Sequence, residues 1–192
     1  MQFWGIDISV MVKNLVEMLL VVTEHLYAQI ENYLKAENCL AANIQTSRLM
    51  LNIAKKEKEQ YLKPEDINSF SCADLQRLNR LWVANSHNRF GFSVQKEIWI
   101  NQGNQLDIIL KGDDYKTYLQ FAKAVGWASV RDNETTKAEY VSIEDLILRI
   151  KNNQKLRGSL PTVLSDRIAY TFWRAWIRWT YPLISRSRKC GL

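Results

Sequence analysis

The residue types that could do chemistry are few in this 192-residue chain, and their spacing does not concentrate them. His25 and His87 are the only histidines. His25 lies in an apolar, helix-like stretch and reads as a packed side chain; His87 lies in the polar turn N-S-H-N. Paired acids occur as Glu65–Asp66, Asp113–Asp114 and Glu144–Asp145. Neighbours on a helix point about 100° apart, so these pairs do not converge on one bond as catalytic carboxylates do. All three stand at expected helix starts, where negative charge meets the helix dipole. The chain holds no G-x-S-x-G, no P-loop and no H-E-x-x-H. Cys39, Cys72 and Cys190 are odd in number and widely spaced, which argues against a disulfide framework and a zinc site and for a reducing compartment. The expectation is a protein that is not an enzyme.

Two stretches could instead bind. The tail R-I-A-Y-T-F-W-R-A-W-I-R-W-T-Y-P-L-I places Arg167, Thr171, Arg174 and Arg178 on one helical face, with three of the seven tryptophans within seven residues. Such a helix can pack its rings on the body. It can equally offer aromatics and cations to a flat carboxylate ligand, lie on an anionic membrane, or stack single-stranded nucleic acid. Composition does not rank these. The other stretch is S-H-N-R-F-G-F-S-V-Q-K-E-I-W (86–99), where an arginine and two phenylalanines surround a glycine. Such a stretch could merely turn a corner, or be the lip of a pocket for something large, flat and apolar. In the second case Gly91 lets backbone pass closely, and Phe90 and Phe92 can present different faces, one to the core and one to a cleft.

The elements that must position these residues read as helices. Val12, Leu15, Val16, Leu19, Val22, Leu26, Ile30 and Leu34 recur at three- and four-residue steps, as one long helix or two. Further helices are expected over 41–58, from Pro64, and over 72–84 behind a Ser71–Asp74 capping pattern. Others follow from a Ser93 cap, from Asp113 or Asp114 to Val125, and after Ser142–Asp145; a last one starts at Ser165 or Asp166 and ends at Pro182. Glycine and proline are scarce and no βαβ alternation occurs, so the fold class is all-α. The formal net charge of +6 is uneven: residues from Arg149 onward carry +9 and the remainder −3. No basic residue precedes Lys13, and nothing reaches a membrane-spanning length, which reads as a protein without a secretory signal.

Residues 57–99, E-K-E-Q-Y-L-K-P-E-D-I-N-S-F-S-C-A-D-L-Q-R-L-N-R-L-W-V-A-N-S-H-N-R-F-G-F-S-V-Q-K-E-I-W, form a gap-free run that resembles the genomes-uncoupled-four family, with its E-D-I, F-x-C-x-D-L, L-W-V and R-F-G-F-S-V-Q signatures. D-Y-K-T-Y-L-Q-F-A-K-A-V-G-W, Y-V-S-I-E-D-L, G-S-L-P and I-S-R-S-R-K-C keep the family's order farther on, so the resemblance covers about 27–192. The chain departs at D-L-Q-R-L-N, at G-S before Leu160 and in an added N-Q-L-D-I-I-L-K-G.

The resemblance implies an all-α tetrapyrrole-binding-type domain over 27–192, preceded by an N-terminal helical segment over 1–26. It implies non-catalytic binding of protoporphyrin IX or magnesium protoporphyrin IX in an apolar cleft, with no protein-bound metal. The large subunit of magnesium chelatase is the implied partner, stimulated at the entry to chlorophyll synthesis. No nucleic acid is implied, and the place is the cytoplasm of a cyanobacterium-like cell or the chloroplast stroma, with peripheral membrane contact open. On this reading Val83, Phe90, Phe92, Val94 and Ile98 line the cleft and Trp127 supplies a side wall. Arg89, Arg157 and Arg167 meet the propionates, whereas Trp82, Trp99 and Phe70 belong to the core. The alternative is a divergent adaptor or sensor that docks on an acidic protein or membrane through the C-terminal Trp/Arg helix.

Overall fold

The structure, a computed structural model, describes residues 2–3, 6–104, 115–130, 138–153, 155–162 and 173–192. Among these the fold is all-α, with two short antiparallel hairpins. Strands β1 (Gln2–Phe3) and β2 (Ile6–Asp7) lead into α1 (Ile8–Lys35), a single helix rather than two. A three-residue turn joins it to α2 (Cys39–Ile53), which Asn38 caps by accepting from the Ala41 amide at 3.1 Å. The paired helices bury Tyr27, Ile30 and Leu34 of α1 against Leu49 and Met50 of α2 within one core.

Helix α2 ends at Ile53, not Lys58. The run K-K-E-K-E-Q has no apolar side chain to bury, so prolonging the helix would gain no packing, and the backbone turns with Lys55 and Gln60 at positive φ. Helix α3 (Pro64–Asn68) starts with proline, and Asp66 accepts from the Lys63 amide at 2.8 Å. Helix α4 (Cys72–Asn85) starts as its capping pattern predicts, Ser71 accepting from the Asp74 amide. Hydrogen bonds, an ion pair and a stacked cation join it to α1. The Tyr27 hydroxyl donates to the Asp74 carboxylate at 2.8 Å, and Arg77 makes a two-pronged pair with Glu24 while stacking 3.7 Å above the Tyr27 ring.

Helix α5 (Phe92–Asn101) is followed by α6 (Tyr115–Ala124), the hairpin β3 (Ala128–Val130) and β4 (Ala138–Tyr140), and α7 (Ile143–Asn152), capped by Ser142 as expected. Trp82, Trp99 and Phe70 are core, as the sequence suggests. Trp82 donates its indole N–H to Thr46, and Trp99, Phe121 and Trp127 stack edge-to-face in series at 5.3 and 5.5 Å.

Helix α8 (Trp173–Lys189) corrects the expected stop at Pro182. A proline inside a helix forfeits one hydrogen bond, but the turns beyond it are held by tertiary contact. Leu183 and Ile184 are buried, and Arg186 donates to the Phe70 carbonyl at 2.8 Å. The Gln76 amide donates to the Cys190 carbonyl and Lys96 to that of Leu192. The expected start at Ser165 or Asp166 lies outside the described residues, as do Asp113 and Asp114.

The reading against disulfides is corrected as well. Cys72 and Cys190 form one, their Cα atoms 5.0 Å apart, leaving Cys39 free. The bridge ties the start of α4 to the end of α8 across 118 residues. Closing so long a loop restricts the unfolded chain, so Cys72→Ser should lower the unfolding free energy by about 3–5 kcal/mol. Urea denaturation checks this: reductant should destabilise the parent chain equally and leave Cys72→Ser unmoved. Equal stability of the parent under oxidising and reducing conditions would show that the bridge contributes nothing.

Candidate functional site: a clamped loop behind a cleft

The turn that attracts notice in the sequence grips a buried stretch of backbone. Ser86 accepts the Phe90 amide at 2.9 Å, closing the turn. The Gly91 amide then donates to the Leu160 carbonyl at 2.9 Å, and the Gly158 amide to the Arg89 carbonyl at 2.8 Å. Gly91 has φ 130° and caps α5; a Cβ there would lie 2.7 Å from Val83 Cγ2 and 2.9 Å from Asn79 Oδ1. Asn79 needs that proximity, because its side-chain oxygen accepts the Ser93 amide at 2.9 Å. The cap expected from Ser93 therefore comes from Gly91 and Asn79 instead.

Residues 158–162 are buried along their length. Gln95 donates to the carbonyls of Gly158 (3.1 Å) and Pro161 (2.9 Å). Trp127 donates its indole N–H to the Ser159 carbonyl at 2.7 Å. Asn43 both accepts the Thr162 amide and donates to its hydroxyl. The motifs R-F-G-F and G-S-L-P, about seventy residues apart, are two halves of one clamp.

This places the sequence candidates. Phe90 and Phe92 are 2% and 1% exposed, so both rings face the core rather than dividing between core and cleft. Val94 is buried; Ile98 is half-buried against Gly158, and Val83 against Gly91. Trp127 is buried. Arg89 lies 5.0 Å above the Phe90 ring and reaches the carbonyls of Ile150, Asn153 and Leu156 at 3.4–3.5 Å, so its charge sits at the C-terminal end of α7. Arg157 pairs with Glu97 at 3.1 Å on the surface. Arg167 lies outside the described residues.

Beside the clamp a cleft of about 610 Å³ opens between the end of α6, β3 and α7. Gly126, Ala128, Leu148 and Leu156 give it apolar surface; Lys123, Asp145 and Arg149 add charge, and Asn152 and Asn153 close one end. Trp127 sits in the chain between two of these residues and joins the cleft to the clamp through Ser159. The sequence reading missed Lys123, Leu148, Arg149 and Leu156. One sign lies in the sequence: Leu148 falls off the stripe of Ile143, Leu146, Ile147 and Ile150, and the structure leaves it 55% exposed.

The arrangement is an all-α domain with a concave surface that carries apolar and charged groups, set against a buried, hydrogen-bonded loop. Comparison with known proteins then gives the family. The sequence model of the GUN4-like family matches residues 22–168, and the chain belongs to that family. It is 28% identical over 141 residues to "Tetrapyrrole-binding protein, chloroplastic" of Arabidopsis thaliana, covering 72% of this chain and 49% of that one. It is 31% identical over 103 residues to "Uncharacterized protein ycf53" of Cyanidium caldarium, covering 53% of this chain and 38% of that one. The chain thus spans half or less of the length of these relatives. A solved ligand-free structure of Arabidopsis thaliana GUN4 shares the fold, with a TM-score of 0.59 at 24% identity over 83% of this chain and 91% of that one.

The clamp predicts a measurable intolerance. Any side chain at Gly91 would meet both Val83 and Asn79 in a backbone region that residues other than glycine rarely enter, so Gly91→Ala should cost about 2–4 kcal/mol. Thermal melting tests it; a variant that melts with the parent would show that the turn yields at little cost.

Proposed function

We propose that the chain is a non-catalytic tetrapyrrole-binding regulator whose ligand is protoporphyrin IX or its magnesium form. The observation that carries this reading is the cleft. All its lining residues fall inside the stretch that matches the GUN4-like family, and it combines an apolar surface with Lys123 and Arg149. A porphyrin is an apolar plate with two carboxylates on one edge. Burying roughly 300 Å² of it at about 25 cal/mol per Å² gives on the order of 7 kcal/mol before association costs, so apolar contact alone binds weakly. Cations at the rim add charge-assisted hydrogen bonds and fix which edge faces out. The naming of the Arabidopsis relative for tetrapyrrole binding supports the same assignment.

In this reading Trp127 stiffens the floor, Arg89 steadies the α7 wall, and Val83, Val94 and Ile98 with the two phenylalanines support the clamp. Arg157 and Arg167 are the further cations the ligand's carboxylates would reach. The loaded protein would stimulate magnesium chelatase through that enzyme's large subunit, either in a plastid, the setting of the chloroplastic relative, or in a cyanobacterial cytoplasm. The adaptor reading turns on Trp173, Arg174, Trp176, Arg178 and Trp179, whose side chains lie outside what the structure describes; the turns after Pro182 pack on the body.

Titration with protoporphyrin IX and with its magnesium form, following tryptophan fluorescence and the Soret band, tests the proposal. Saturable binding in the micromolar range or tighter is expected. Reversing both cations, Lys123→Glu with Arg149→Glu, should weaken it about tenfold without lowering the melting temperature, since exposed charge pairs contribute modestly. Absence of saturable binding by the parent chain would sink the proposal, and unchanged binding by the double variant would remove the cleft from it. A chelatase assay with the loaded protein then tests the regulatory role.

A further inference from the structure

In the first half of α1 the described large apolar side chains are exposed. Ten apolar side chains between Ile8 and Val22 are each 42–68% exposed. They are spread round the helix, so the face that carries Val12 and Val16 presents part of a total on the order of 800 Å², comparable with the roughly 300–600 Å² of the largest patch on an ordinary monomer. This stretch lies almost wholly before residue 22, where the family match begins.

We propose that this half-helix is a self-association surface, pairing antiparallel with the same segment of a second copy. Val12, Val16, Thr23, Tyr27, Ile30 and Leu34 follow one another at three-, four- and seven-residue steps, so the bare face continues the face that α1 buries in its own domain. At Thr23 that face meets the end of α2, where the Thr23 hydroxyl donates to Asn52 at 2.9 Å. A parallel second helix laid on Val12 and Val16 would have to continue through the space that α2 fills. An antiparallel one sets its own Ile8 level with Val22, so that the short β1–β2 hairpin, and not a continuing helix, comes near the end of α2.

Two helices that overlap over residues 8–22 cross at Leu15, so Lys13 of each lies level with Glu17 of the other. Lys13 and Glu17 stand on the same side of the apolar stripe, and antiparallel helices bring same-side flanks together. These are the segment's only charges, so the surface is self-complementary as a two-fold interface requires. A bilayer fits less well. The segment carries no net charge to draw it to anionic lipid, its length of about 22 Å falls short of a hydrocarbon core of about 30 Å, and no described helix is long and apolar enough to cross a membrane.

Sedimentation of the full chain over a concentration series tests the pairing. The parent should approach twice the chain mass, and Val12→Glu with Val16→Glu should be monomeric with unchanged far-ultraviolet circular dichroism, both side chains being exposed. Lys13→Glu or Glu17→Lys alone should weaken the dimer by placing like charges together twice. An equimolar mixture of these two variants should recover it as a mixed dimer. A parent that stays monomeric, including one that sediments only with lipid vesicles, would overturn the proposal. So would a dimer that survives the Val12/Val16 change, or a mixture no more associated than its components.

Discussion

A run of backbone inside the core is the constraint on which this domain rests. Peptide groups taken out of water must find partners, and a loop has no ladder of its own to supply them. Residues 158–162 meet the requirement by borrowing from four places: the 89–91 turn, Gln95 on α5, Asn43 on α2 and Trp127 before β3. Each lender is thereby fixed in space. Gly91 must lack a side chain because α4 already fills the place where one would go, and Gln95 and Asn43 stay buried because the loop consumes their polar atoms. The hydrogen bonds are individually modest, but removing one partner strands a buried group at about 1–3 kcal/mol, so the set holds together as a unit.

What the sequence made legible was local. Ser71 and Ser142 cap helices because a hydroxyl three residues before an acid offers the first turn an acceptor, and this needs no knowledge of the rest of the chain. Trp82, Trp99 and Phe70 read as core from their place in apolar stripes. The long-range features were not legible in the same way. Phe-Gly-Phe announces that some backbone passes close by, yet nothing near residue 91 tells that this backbone is Leu160. The turn's own residues therefore suggest one ring in the core and one at a cleft, whereas both rings are buried. Cys72 and Cys190 show no spacing rule at a separation of 118 residues, and α8 runs past Pro182 because of where Leu183, Ile184 and Arg186 dock. In each case tertiary contact outweighed a local preference.

The cleft inherits its mechanical character from this arrangement. Its floor, Gly126 to Ala128, is tied to the clamp by the short bond from Trp127 to Ser159 and by the Val141 amide donating to the Trp127 carbonyl at 3.0 Å. Its facing wall, α7, is held at its C-terminal end by Arg89 across 3.4–3.5 Å, near the outer limit for a hydrogen bond. An arginine there still opposes the helix dipole's negative end, so the contact is electrostatic more than directional and tolerates small shifts of the helix. Floor and wall are thus held by different means: the floor by buried hydrogen bonds to the clamp, and α7, which carries Leu148 and Arg149, by Leu146 and Ile150 in the core and by Arg89 at its end. On the proposed reading a planar ligand would therefore meet the α7 wall without drawing on the buried hydrogen bonds that hold the domain, because none of the clamp's partners Gly91, Asn43 and Gln95 lines the cleft.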